Sequence, residues 1–581
     1  PLLDTRTSQL GGSHLSTLIT KSLLARALLK SGQLESGEKI CQQLLVDMDV
    51  LRYQYAVLGT AAQRELFRNL LPVLNDYVVH LASTGRLQKA FLIADAIRGR
   101  SLHDHQTAMR TQKSSKAREL AVKISSLESE LLTARSRESR ESLLTTIQGS
   151  RRELHLMSGN ETRVSPSPTL DATDGFEWLK ADQAYVHYVA DGSHNWYAFV
   201  ARRNGELRWV ELGPLASLAS TVHALNTWTA ALGQRRAPGT ASQRVGAHRH
   251  GSGSENYWWS TEQDDRCHAQ VPADAARPCV RGKAQFVSTD QDYVELRHYL
   301  GARLLKPLLP YLGDASRVVI SPDQSLAVLA WDVLMLDSEI PAAKRFAIST
   351  TPSLSLYKNG LQTEGNSSYE RDYFGVAATD AIVLDDVALP KLPFAAGEVL
   401  ASARHFPLER TKTLLHGEAS EAKFRSYAAS GELSRYRYLH IAAHGYFDSS
   451  RRAKNGLLLS RTGGSYTEDG LITLTDWQTF PIRAHLVVLS ACESGMGRMV
   501  AGEGVVGYGF TLKAVGVNNL VATLWRVSDR ASSKFISEFF ARLRNGDSPE
   551  IALAETKRSF IAHRDVALRS PRVWAAFTLY Q

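Results

Sequence analysis

A chain of 581 residues, 44% of them hydrophobic, holds about two to four domains with ordinary cores. Its formal net charge of +9 is mild at this length and does not by itself argue for a nucleic-acid partner. Four cysteines (Cys41, Cys267, Cys279 and Cys492) are too few for a disulfide framework, and no signal peptide or run of about 18 apolar residues is visible, so a cytoplasmic protein without a membrane span is expected; because the chain begins at Pro1, a preceding segment stays open.

Residues 1–106 read as helices. Leu28, Gly32, Leu34, Gly37 and Ile40 recur as Leu81, Gly85, Leu87, Ala90 and Ile93, at a constant offset (85 − 32 = 53). This pattern resembles the turn between the two helices of a tetratricopeptide repeat, although the usual period is about 34. Irregular last repeats of an array are expected, with a plain helical hairpin as the alternative. Residues 107–160 are charged, with Ile124, Leu127, Leu131, Leu132, Leu143, Leu144 and Ile147 at helical spacing, which predicts a helical hairpin or short coiled coil with solvated faces. Ser165-Pro166-Ser167-Pro168 marks a linker.

From Asp182 the period changes to that of strands, at Tyr185–Val189, Trp196–Ala201 and Leu207–Leu212, with a helix near Leu215–Leu232. Residues 233–284 break the pattern and predict a long insertion rich in Gly, Ser, Arg and His. Cys267 and Cys279, with His248, His250 and His268, have no standard zinc spacing, so no metal or cofactor is expected. A helix at 290–312 then leads to a strand from Arg317. Downstream, predicted strands at Tyr373–Ala378, Lys412–Leu415, Arg437–Ala442, His485–Leu489 and Asn519–Leu524 alternate with helices near Phe394–His405, Glu418–Ala429, Val505–Ala514, Ser532–Leu543 and Pro549–Ile561. Such alternation gives an α/β fold, a mostly parallel sheet flanked by helices, here preceded by an all-α region.

Two of these strands carry chemistry at their ends. Arg437–Ala442 runs on to His444-Gly445, and His485–Leu489 runs on to Cys492 and Gly495. Carboxyl ends of parallel strands form the reactive rim of an open α/β sheet. A Cys and a His side by side there are the minimal pair for thiol nucleophilic catalysis: His444 as base, Cys492 as nucleophile. Taken singly, a lone Cys or His in such a segment is ordinary packing. His440 lies four residues before His444, about 13 Å away along a strand, and is expected to be structural. Gly502-Glu503-Gly504-Val505-Val506-Gly507 fits G-x-G-x-x-G but does not directly follow a strand, so a helix packed beneath the site is expected rather than a nucleotide.

These residues, with Ser490-Ala491-Cys492-Glu493-Ser494-Gly495, Leu524-Trp525-Arg526-Val527-Ser528-Asp529 and Pro571-Arg572-Val573-Trp574-Ala575-Ala576-Phe577, resemble the CHAT family of caspase-like, separase-related cysteine peptidases. The resemblance implies a pseudo-protease-like first half at 165–360 and a catalytic caspase-like half at 370–581. It implies an oxyanion hole from the backbone N–H groups of Gly445 and Cys492. It also implies a substrate pocket walled by Ser490, Trp525, Ser528 and Asp529, with cleavage after a basic residue, Arg before Lys. Asp529 also suits a plain helix cap. The family further implies bacterial signalling or defence, regulation through the repeats, and a protein partner such as a gasdermin-like or CRISPR-associated protein, with no direct nucleic acid or membrane contact. A catalytically silent scaffold with the same fold is the alternative.

Overall fold

The computed structural model describes residues 2–12, 14–56, 60–99, 176–215, 217–232, 290–365, 368–380, 382–384, 387–446, 455–461, 469–491, 494–495, 497–500 and 504–581, with scattered positions between 102 and 153. The expected linker, the insertion at 233–284 and most of the charged segment lie outside the described residues.

Helices Leu2–Leu10, Leu15–Lys30, Leu34–Ala56, Thr60–Ser83 and Leu87–Ala96 open the chain. The offset of 53 joins two turns built alike. Gly32 and Gly85 stand just past the helices ending at Lys30 and Ser83, at φ +81° and +82°. In each turn the next N–H, of Gln33 or Arg86, donates to the carbonyl of Leu28 or Leu81 at 2.9 Å. Glycine takes that left-handed conformation without the steric cost of a Cβ. The two helices between the turns have 23 and 24 residues, which is why the spacing exceeds the usual repeat of about 34.

The strands are β1 Gln183–Ala190, β2 Asn195–Arg202, β3 Leu207–Pro214, β4 Arg317–Ser321, β5 Ala347–Thr350, β6 Arg371–Ala377, β7 Ile382–Leu384, β8 Val387–Leu389, β9 Thr411–Leu415, β10 Tyr436–Ala442, β11 His444–Tyr446, β12 Gly456–Leu458, β13 Leu471–Thr473, β14 Leu486–Ser490, β15 Gly497–Val500, β16 Gly504–Gly507, β17 Asn519–Thr523 and β18 Phe577–Tyr580. Eleven of them form one sheet in the order β3-β2-β1-β4-β5-β18-β17-β14-β10-β6-β9. Within it β1, β4, β5 and β18 are mutually parallel, as are β17, β14, β10, β6 and β9. The two blocks meet antiparallel at β17 and β18. Their carboxyl ends therefore face opposite edges of the sheet, so at the rim where β10 and β14 end the first block presents amino ends, with Phe577 of β18 opposite Thr523 of β17.

Both faces are covered, which explains why the central strands read as unbroken apolar runs. Tyr438, Ala442, Leu486 and Val488 join one core with Phe535, Phe539 and Phe540 of the helix Asp529–Arg544. Leu439, Ile441, Val487 and Leu489 join another with Tyr508 and Leu512 of the helix Tyr508–Val515. Tyr185, Val189 and Val319 pack with Phe91, Ala94 and Ile97 of the N-terminal helices. Two expected boundaries are corrected. The helix expected over Val505–Ala514 starts at Tyr508, because Gly504–Gly507 pairs antiparallel with Gly497–Val500 as β16 and β15. The helix expected from Ser532 starts at Asp529, because the Ser528 hydroxyl accepts the Ala531 N–H and caps it there. No described helix is long and apolar enough to cross a membrane.

Candidate active site

The site is set by the register of β10 and β14. They are parallel, with Ala442 opposite Ser490. His444 and Cys492 each follow two residues later (442 + 2 = 444; 490 + 2 = 492). His444 does not extend β10. It opens β11, opposite Leu458, in a separate three-stranded sheet of β11, β12 and β13. That sheet is anchored by Tyr446, Leu458 and Leu471, against which Leu389 packs. Gly456 on β12 has no alternative, since a Cβ there would lie 2.3 Å from the Ile472 carbonyl oxygen. Gly445 is half-buried, opposite Leu457.

The His444 ring is buried, 5% exposed, with Nε2 2.7 Å from the Pro390 carbonyl oxygen. A carbonyl only accepts, so Nε2 carries the proton and Nδ1 keeps the lone pair of a neutral imidazole. Burial holds the His444 pKa below its ordinary value, the Pro390 bond pulls it back up, and the Arg526 charge lowers it further. The ring is thus held as a neutral base. Pro390 was not foreseen: a backbone carbonyl 54 residues away leaves no trace in side-chain identity.

Cys492 and Glu493 lie outside the described residues. What flanks them is tightly tied to Thr523, the last residue of β17. Thr523 Oγ1 donates to the Ala491 carbonyl at 2.6 Å, and its N–H donates to Ser494 Oγ at 3.1 Å. Its carbonyl accepts the Gly495 N–H at 2.7 Å. Tyr580 OH adds a bond to the Gly495 carbonyl at 2.9 Å. The chain is therefore clamped immediately before and after Cys492–Glu493 by one threonine, a second residue not marked from the sequence.

The four expected pocket residues behave differently. Trp525 is buried, with its indole N–H donated to the Arg572 carbonyl at 2.8 Å. Ser490 Oγ is 2.8 Å from Ser532 Oγ. Both polar groups are thus already engaged inside the protein. Ser528 is exposed and caps the helix that follows. Asp529 is half-buried; its Oδ2 accepts the Phe394 N–H at 2.6 Å, and burial raises its pKa above the usual carboxylate value. Asp529 thus tethers a neighbouring segment, while Ser528 provides the cap. His440 is fully buried between Glu398 Oε1 at 2.9 Å and Tyr373 OH at 2.7 Å, both ring nitrogens occupied. Among the described residues no group of three or more His, Cys, Asp or Glu is placed to hold a metal ion.

The CHAT domain matches residues 295–581. Tetratricopeptide repeat protein 28 of Mus musculus is 31% identical over 109 residues, which cover 19% of this chain and 4% of that protein. The Saccharomyces cerevisiae separase–securin complex aligns at 11% identity and TM-score 0.40, over 100% of this chain and 47% of that chain. The Arg-specific cysteine proteinase gingipain R aligns at 7% identity and TM-score 0.33, over 50% of this chain and 67% of that chain. Scores at this level carry no argument about this chain.

Proposed function

We propose that the CHAT domain of this chain, residues 295–581, is a cysteine endopeptidase in which Cys492 is the nucleophile and His444 the base. One observation carries this: the Ala442–Ser490 register, which sets His444 and Cys492 at equal steps beyond adjacent parallel strands. The neutral state of His444 supports it, because Nδ1 is then the nitrogen that can take a proton. In the proposed cycle Nδ1 removes the thiol proton and the thiolate sulfur attacks the peptide carbonyl carbon. The backbone N–H groups of Gly445 and Cys492 would hold the resulting oxyanion. The C–N bond breaks, the imidazolium returns the proton to the leaving amine, and water cleaves the thioester with His444 again as base.

Asp529 would select the residue before the cut. A half-buried carboxylate favours guanidinium, which is more weakly hydrated and so cheaper to desolvate, over ammonium. The N-terminal helices would bind a regulatory protein or the substrate; a gasdermin-like or CRISPR-associated partner, a defence role and a cytoplasmic location rest on resemblance alone. The test is N-terminal sequencing of fragments after incubation with a mixed protein pool. Cuts after Arg that vanish with Cys492→Ala support the peptidase. No cuts, together with a peptidyl thiol probe that leaves Cys492 unlabelled, support the silent scaffold.

A further inference from the structure

Two hydrogen bonds at the site end on one short segment. At its start, the Pro390 carbonyl holds His444 Nε2 at 2.7 Å. At its end, the Phe394 N–H is held by Asp529 Oδ2 at 2.6 Å. Between them, the Leu392 N–H donates to the Thr379 carbonyl at 3.1 Å, and the Leu392 side chain packs on the main core. Pro390 and Pro393 each fix a φ angle, so this segment has few soft torsions with which to absorb a shift at one end. Beyond Phe394 the chain enters the helix Ala395–Ala403, whose Glu398 N–H returns to the Phe394 carbonyl at 2.8 Å. Glu398 in turn reaches His440 on β10. Asp529 Oδ1 has no protein partner among the described residues.

We propose that Asp529 has two separable roles: through Oδ2 it is a positioning residue that fixes the Pro390–Phe394 segment and with it the tautomer of His444, while Oδ1 remains for the substrate guanidinium. The second role rests on the specificity proposed above; the first does not. Arginine seated on Oδ1 would then be sensed at His444 through the same segment. A bound guanidinium draws on the carboxylate that holds Phe394, and the Pro390 carbonyl is four residues away.

The test separates hydrogen bond from charge in the full-length protein. Asp529→Asn keeps an oxygen that accepts the Phe394 N–H but removes the charge; Asp529→Ala removes both. The nitrogen-15 shifts of the His444 ring, identified by loss of its signals in His444→Gln, report the tautomer directly and need no substrate. Asp529→Asn should keep the Nε2–H tautomer and the rate of Cys492 alkylation by iodoacetamide, yet lose the preference for Arg by more than tenfold. Asp529→Ala should give mixed tautomers and a several-fold slower alkylation as well. Phe394→Pro, which deletes the donor and leaves Asp529 intact, should reproduce the tautomer change. Cooperative melting of each variant verifies that it is folded. An Asp529→Ala protein with the wild-type His444 spectrum, or an Asp529→Asn protein as perturbed as Asp529→Ala, would overturn the positioning role. Wild-type protein that cleaves nothing, while the tautomer still shifts in Asp529→Ala, would overturn the peptidase and leave the positioning role standing.

Discussion

His444 is the residue whose surroundings say most. Its folded pKa lies below the ordinary 6.5, chiefly through burial. Between the folded value and 6.5 the unfolded chain binds more protons than the folded one, so this group's contribution to stability is complete above about pH 6.5 and is lost as pH falls below it. Peptidase activity should accordingly hold its acid limb below pH 6.5, which a pH–rate profile checks. His444→Ala and Cys492→Ala should each reduce cleavage to background while melting cooperatively. Thr523→Val loses the Oγ1 bond to the Ala491 carbonyl but keeps the backbone bonds to Ser494 and Gly495. It should lower kcat about ten-fold or more, as misplacement of a reacting group by about an ångström does, without lowering the melting temperature by more than a few degrees. Loss of folding in place of kcat would show Thr523 to be a stability residue. The nucleophile and base were legible because short apolar runs end at them. Pro390 and Thr523 were not, since their partners lie 54 and 32 residues away and neither sits in a local pattern.

Among the elements, the parallel strands were the most readable. β10 and β14 are buried on both faces and so appear as plain apolar runs. The strands β11 to β13 and the β15–β16 hairpin have three or four residues each, too short for a period to show; their pairing is set by tertiary contacts, and glycines such as Gly504 and Gly507 read as helix or loop. The junction between the N-terminal helices and the sheet is also a tertiary device. Asp95, at the end of its helix, accepts the N–H groups of Leu354 and Ser355 at 2.6 and 3.1 Å and so caps the helix Leu354–Gly365. Arg98 pairs with Asp323, both nearly inaccessible, and Asp323 also accepts the Ala190 N–H at 3.3 Å. Gly99 sits beside them at φ +60°, where a Cβ would lie 2.5 Å from Leu356. Removing one partner of a buried pair costs about 3–5 kcal/mol. Arg98→Ala should therefore lower unfolding free energy by about that much in a denaturant titration; a change under about 1 kcal/mol would mean that the junction bears no such load.

At the scale of the molecule, the two parallel blocks run in opposite directions, so β9, β6, β10, β14 and β17 bring their carboxyl ends to the His444 rim, where β18 brings its amino end. The segment after the N-terminal helices meets the opposite edge of the sheet: Leu102 packs with Leu356 and with Ala514, near the carboxyl end of the helix Tyr508–Val515 that leads into the start of β17. A Leu102→Ala variant should therefore lower the melting temperature and leave kcat and KM unchanged; a fall in kcat would tie this contact to the site. The pairing of Cys492 with His444 is tested by covalent capture with a peptidyl-arginine acyloxymethyl ketone, the modified residue being located by mass spectrometry. Cys41 is a built-in control, since its buried thiol has its pKa pushed up to about 12 and should stay unreacted. One adduct is expected, on Cys492, and it is lost in His444→Ala. An adduct that persists without His444, or cleavage that survives Cys492→Ala, would contradict the pairing.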